Sequence, residues 1–302
     1  MKRKCCLLAL IVLLFIPAFI YSGQRDEKPA NDGISKEIRV DEDLYIKEDI
    51  EKFRDKEKKV INRISFSGGN IIITPSPKKG YFYGGTFWYE TVFHSPLFEI
   101  ADKRDAYVVN LRQRKSKVYI FPSNQRRPIW KYSFPCDISA ELDISLSGSN
   151  TMIELGGSLV ENINISARGQ ETALMFSEPV KGMIHEAVIS VDVGKLSVLD
   201  ILNSNTAYMK MNLSSGSYFM DFSGKADKLK ERTVDITLNF SKLDISLSDD
   251  VGYEIYTSTL VHISAPDLVK NEDYHRTPGF EKAERRIYIN IRGVGGKVNI
   301  IY

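Results

Sequence analysis

Leu142-Asp-Ile144-Ser-Leu146 can be written above Ile163-Asn-Ile165-Ser-Ala167, Ala187-Val-Ile189-Ser-Val191, Met209-Lys-Met211-Asn-Leu213 and Val234-Asp-Ile236-Thr-Leu238, with the apolar residues in the same columns. Strict alternation sends successive side chains to opposite faces of a strand, so each segment offers one apolar face. A second set of columns follows, running Thr151, Ile153, Leu155; Thr172, Leu174, Phe176; Leu196, Val198, Asp200; Tyr218, Met220, Phe222; and Leu243, Ile245, Leu247. Between the two sets lie Gly148, Gly169, Gly194 and Gly216, or Ser241-Lys242. Glycine there supplies the positive φ of a tight turn without steric cost. Each unit reads as strand, short turn, strand, repeating at about two dozen residues, and such units bury a core by stacking. On the same template Ile287, Ile289 and Ile291 continue the first columns, and Gly296, Val298 and Ile300 the second.

Outward from these units the pattern loosens. Ile64-Ser-Phe66-Ser-Gly68-Gly69-Asn-Ile71-Ile-Ile73 is again strand, glycine turn, strand, and Tyr107–Leu111, Val118–Phe121 and Trp130–Phe134 are strand-length runs. Residues 61–134 therefore read as irregular opening rungs, 142–247 as regular ones, and 287–302 as the last. From His262 to Arg286, Pro266 and Pro278-Gly279 interrupt the period, which predicts a long excursion. Residues 24–60 are dense in charge of both signs, and Ile46, Ile50 and Phe53 are spaced for a short helix over Glu42–Lys58 within a tether. The helix and the excursion are expected to cover the open strand edges at the two ends of the stack. The fold class is all-β, a single-stack β-solenoid of strand-turn-strand rungs.

With 43% hydrophobic and 26% charged residues the chain has the composition of a folded protein, and a net charge of +2 gives no footprint for nucleic acid. Lys2-Arg3-Lys4 ahead of an apolar run from Cys5 to Tyr21, closed by Ser22-Gly23, reads as a signal peptide or membrane anchor over 1–23, so the rest is expected to be exported to the periplasm or cell surface. Beyond Cys5 and Cys6 only Cys136 remains, so no internal disulfide is expected, and Cys136 reads as a small buried hydrophobe.

The segment from Ile64 to Tyr302 resembles the toast-rack family of bacterial envelope proteins, which includes the C-terminal domains of LiaF-like proteins of the response to cell-wall-active antibiotics. Besides Ile64-Ser-Phe66-Ser-Gly68-Gly69 and the repeated strand pairs, the resemblance rests on Asp249-Asp-Val251-Gly252-Tyr253, Thr277-Pro278-Gly279-Phe280-Glu281-Lys-Ala283 and Ile289-Asn-Ile291-Arg-Gly293-Val-Gly295-Gly296-Lys-Val298. Several inner turns depart from it in carrying Ser or Lys. The resemblance implies a β-helix-like stack and an envelope location, and it transfers no catalytic residues.

Residue chemistry points the same way. Asp143, Asp192, Asp221, Asp235 and Asp244 fall at outward positions in no common column, where acids are ordinarily a solvated face, and paired-carboxylate chemistry needs two that converge. Asp200 breaks an apolar column, which predicts a local slip that turns Leu199 or Ile201 inward. His94, His185, His262 and His275 lack the spacing of a metal site, no nucleophile motif occurs, and the expectation is no metal, no cofactor and no enzyme activity. The sequons at Asn164, Asn212 and Asn239 read as outward strand positions. Two features are candidates for binding. Tyr83, Trp88 and Tyr89 belong to the aromatic run Tyr81–Tyr89, and Arg112, Arg114 and Lys115 open a basic hairpin with Lys117 and Arg126-Arg127. The expected role is structural, interaction-based or in envelope-stress sensing, with an envelope polymer, a membrane surface or another envelope protein as partner. The alternatives are a binding module for envelope polysaccharide or anionic lipid, and a polysaccharide-acting enzyme.

Overall fold

The protein is nearly all β, and a computed structural model describes residues 34–40, 45–53, 58–90, 95–114, 127–225 and 229–302. In chain order the strands are β1 (Ile34–Val40), β2 (Tyr45–Phe53), β3 (Lys59–Ser76), β4 (Tyr81–Glu90), β5 (Pro96–Asp102), β6 (Ala106–Gln113), β7 (Ile129–Pro135) and β8 (Ala140–Glu154). The regular rungs follow as β9 (Val160–Arg168) with β10 (Glu171–Met175), β11 (Ile184–Val191) with β12 (Gly194–Leu199), β13 (Thr206–Ser214) with β14 (Gly216–Asp221), and β15 (Glu231–Asn239) with β16 (Lys242–Ser246). Then come β17 (Gly252–Thr257), β18 (Val261–Ser264), β19 (Val269–Lys270), β20 (Tyr274–Arg276), β21 (Arg286–Val294) and β22 (Gly296–Ile301). The signal segment, His94, Lys115, Lys117 and Val118–Phe121 lie outside the described residues.

Each rung has two arms that meet at a corner. First arms pair in parallel with first arms, and second arms with second arms, and because β3 and β8 run through both arms all the strands belong to one long sheet folded at the corner around the apolar columns. The register is the one the alternation dictates: Leu142, Ile163, Ala187, Met209 and Val234 stand in line, as do Ile144, Ile165, Ile189, Met211 and Ile236. Every one of these ten side chains is buried. Along the second arms Ile153, Leu174, Val198, Met220 and Ile245 form the matching line. A one-residue slip would turn a whole arm inside out, which is why burial on one face fixes the register so firmly.

Four expectations are corrected. The segment predicted as a helix is the strand β2, antiparallel to β1 and β4. Ile46 and Ile50 are four apart, which also satisfies a two-residue period, while Phe53 is of opposite parity and is exposed on the strand. The last rung is set two residues from the template, with Ile289 beside Val234 and Val298 beside Leu243. Its faces are unchanged because the offset is even. Gly293 then lies beside Leu238, and a Cβ there would sit 1.9 Å from the Leu238 carbonyl oxygen, so glycine is required. Cys136 is free and only half-buried.

The fourth correction concerns rung order. The excursion is shorter than predicted, because β17 and β18 form a further rung that pairs with β21 and β22. The last rung in sequence therefore sits between β15/β16 and β17/β18 in space. The other end repeats the device, with β3 lying between β8 on one side and β6 with β7 on the other. Antiparallel strands finish each end. At the start β5 covers β6, and β4, β2 and β1 extend β7. At the far end β20 and β19 cover β17. Arg276 holds that cap, bonding the buried Glu254 and, at 2.6 Å, Glu281, while its guanidinium lies 4.2 Å from the Tyr274 ring and 4.8 Å from Phe280.

Candidate functional site

The aromatic run Tyr81–Tyr89 forms β4, and alternation divides it. Phe87 and Tyr89 turn inward with Tyr83 and pack among Phe66, Phe98, Trp130 and Tyr132; Phe87 and Trp130 meet edge-on at 5.4 Å, and Tyr83 stacks on Phe98 at 5.0 Å. Tyr83 is 1% and Tyr89 6% exposed, so both are core residues and offer nothing to a ligand. Their ring mass closes the first end of the stack, where no regular rung supplies aliphatic columns. Polar ends are satisfied inside: the Tyr89 hydroxyl donates to Glu48 at 2.6 Å and the Tyr132 hydroxyl to Asn62 at 2.6 Å. Burial, and for Tyr89 the adjoining Glu48 carboxylate, push both phenols well above their ordinary pKa.

Trp88 turns the other way and is half-buried on the outer face. β2 brings Lys47 opposite it, and β7 brings Lys131 alongside. Their ammonium groups lie 5.8 Å and 5.2 Å from the indole centroid, within cation–π range. Lys47 is also paired with Asp49 at 2.9 Å. Neither lysine is near Trp88 in sequence, so only strand pairing reveals them. Of the basic hairpin, Arg112 is exposed and ion-paired with Glu99, and Arg114 is exposed at the end of β6.

Three of the outward acids are engaged by neighbours in adjacent rungs. Asn164 donates to Asp143 at 3.1 Å, Asn299 to Asp244 at 2.6 Å, and both Tyr208 and Asn290 to Asp235 at 2.8 Å. Asp200 adopts φ 55° and ends the arm; the chain turns there, Ile201 takes the inward place, and Ser223 bonds the carboxylate at 2.8 Å. One pair of carboxylates does converge, since Glu141 and Glu161 both reach the Lys59 ammonium, the latter at 3.2 Å. Burial would raise both, but their hydrogen bonds and the lysine charge outweigh it and hold both below the usual carboxylate range. A general acid needs the opposite shift. Among the described residues no group of three or more His, Cys, Asp or Glu is placed to hold a metal ion, and no helix is long and apolar enough to cross a membrane. A depression of ≈ 390 Å³ lies over β17 and β21, lined by Tyr256, Thr257, Ser258, Asn290, Ile291 and Arg292.

No protein-family model matches this chain, and no curated protein matches it. Among solved structures, one described as a candidate cell adhesion protein from Clostridium sporogenes is similar at a TM-score of 0.44 and 17% identity, over 88% of this chain and 98% of that one. A candidate adhesin from Bacteroides fragilis is similar at 0.36 and 10%, over 85% and 97%. Another from Parabacteroides merdae is similar at 0.26 and 9%, over 90% and 98%. Likeness at these scores assigns no activity.

Proposed function

We propose that this chain is an exported, non-catalytic protein of the cell envelope, in which a rigid β-stack serves as a scaffold for contact or for sensing envelope stress. The observation that supports this most is the way the stack is used up by its own stability. The inward columns are filled by apolar side chains, and several outward polar ones are bonded from rung to rung, as in Asn164–Asp143, Asn212–Ser190 and Asn299–Asp244. Such bonds stiffen a rod and leave few groups free for chemistry. Export is supported by the sequence of residues 1–23. Fractionation of bacteria expressing the full chain tests the location, and recovery in the cytosol would overturn it. Incubation with acidic polysaccharides tests the absence of catalysis, and new reducing ends would overturn that part.

A second reading, favoured by the half-buried Trp88 beneath two ammonium groups, is a binding face for anionic envelope polymer on β2, β4 and β7. Trp88→Ala with Lys131→Ala is expected to weaken retention on purified wall polymer; unchanged retention removes this reading.

A further inference from the structure

The corners of the stack carry a second, unassigned surface. The residue three positions before each second-arm core column forms a line of its own, which runs Gly68, Gly148, Gly169, Val193, Ser215, Phe240, Gly295, Leu260 in spatial order. Backbone φ is positive at Gly68, Gly148, Gly169, Ser215, Phe240 and Gly295, so the corner favours glycine. Glycine occupies it throughout the first half of the stack. In the second half apolar side chains take three of the five positions, with Ser215 and Gly295 between them, and they point into solvent: Val193 is 50%, Phe240 71% and Leu260 62% exposed. Phe240 holds φ 48°, a conformation that a bulky side chain rarely adopts. Its ring leans over the next rung, where a Cβ on Gly295 would lie 3.0 Å from it, beside the exposed Val294.

Apolar residues exposed singly are ordinary, but these are aligned. At the spacing of neighbouring strands, the line from Val193 to Leu260 is roughly 19 Å long. The next outward column, two residues on, runs Lys195, Ser217, Lys242, Lys297, His262 in the same register, and its three lysines and histidine are exposed. The acids nearby are the exposed Glu171, in register beside Lys195, Asp244, which Lys242 meets at 2.7 Å and Lys297 also influences, and the exposed Asp192.

We propose that this corner is a membrane-docking edge, in which Val193, Phe240, Val294 and Leu260 enter the headgroup boundary of a bilayer and Lys195, Lys242 and Lys297 meet the phosphates of anionic lipids. An apolar ridge with a parallel row of ammonium groups matches the depth profile of such a surface, where acyl carbon lies just beneath negative charge. A protein groove would account for the ridge but gives the lysine row no role. This edge lies in the opposite half of the stack from Trp88, so the two surfaces are tested independently.

The test uses the full chain with Phe240→Trp, mixed with phosphatidylcholine vesicles containing about a third phosphatidylglycerol and acyl-brominated lipid. The emission of the new indole, taken as the difference from the parent chain with its own Trp88 and Trp130, is expected to be quenched on the order of threefold or more beyond its level in purely zwitterionic vesicles. The same chain with Lys195, Lys242 and Lys297 changed to Ser is expected to lose that quenching. Ser145→Trp, on the first-arm face far from the ridge, controls for attachment through residues 5–21 and should stay unquenched. Phe240→Gly suits the local φ and should keep the thermal midpoint, which separates docking from folding. Absence of quenching, equal quenching at Ser145→Trp, or quenching that survives loss of the lysines overturns the proposal.

Discussion

Replacing Ile236 by Ala probes the stack at its centre. Ile236 is 0% exposed and lies in register between Met211 and Ile291. Truncating a buried isoleucine to alanine costs about 2–5 kcal/mol, the larger values arising where the surroundings cannot collapse into the hole. Both flanking strands here are held by ladder bonds on each side, so a cost of about 4 kcal/mol is expected. That corresponds to a fall in thermal midpoint of roughly 8 °C or more. Asp235, one residue earlier, faces outward and accepts from Tyr208 and Asn290 at 2.8 Å. Asp235→Ala loses two partly solvated hydrogen bonds, about 1 kcal/mol. Circular dichroism during urea and thermal unfolding measures both variants against the parent. Costs that agree within error, or a larger cost at Asp235, would refute the assignment of faces and with it the register.

Two further predictions concern polar groups set into the core. Arg232 is buried and donates to the carbonyls of Ile201 at 3.3 Å and Leu202 at 3.1 Å, and burial lowers its guanidinium to about 10. Arg232→Met strands those two carbonyls and is expected to cost about 2–3 kcal/mol by urea unfolding; a variant as stable as the parent would show that they find other donors. His275, on β20, is held below the ordinary imidazole value by burial and then by the charge of Lys270. A depressed folded value means that the unfolded chain takes up the proton first, so the stability His275 contributes is present above the ordinary imidazole range and is lost as pH falls through the folded value. Amide protection in Gly252–Thr257 and Tyr274–Arg276, measured against the intrinsic exchange rate at each pH, is expected to fall as the medium is taken into mild acid, and His275→Gln should abolish that loss.

The regular rungs were legible because burial on one face ties alternation to register. The columns through Ile144 and Ile236 could be written down from the sequence and recur as neighbours in space. The inward turn of Ile201 at Asp200 was readable for the same reason, since a carboxylate cannot continue an apolar line. What escaped depends on long-range pairing. Nothing local in Gly252–Thr257 states that its neighbour is the chain's last rung rather than the rung before it. Ile46 and Ile50 fit a helix and a strand equally, and only the buried Glu48–Tyr89 contact and the pairing with β4 decide between them. The aromatic candidates divide by parity: Tyr83 and Tyr89 share the inward face with Phe87, whereas Trp88 alone of the three named residues stays at the surface. Its lysine neighbours come from β2 and β7, too distant in sequence for any motif to join them. The corner column was not legible because Val193, Phe240 and Leu260 lie outside both apolar columns and come into line only when the rungs are stacked.

The interleaved rung order is the claim on which this description of the molecule stands, and paired cysteines test it directly. In a background without Cys5, Cys6 and Cys136, Asp244→Cys with Asn299→Cys, and Asn299→Cys with Ser264→Cys, join residues in register on adjacent parallel strands. Adjacent strands lie about 4.8 Å apart, within reach of a disulfide, whereas Asp244 and Ser264 are two strands apart at roughly 9.6 Å. Mass spectrometry after mild oxidation is predicted to show the first two pairs closed and Asp244→Cys with Ser264→Cys open. A closed disulfide in that third pair, with the other two open, would place β18 directly on β16 and contradict the account.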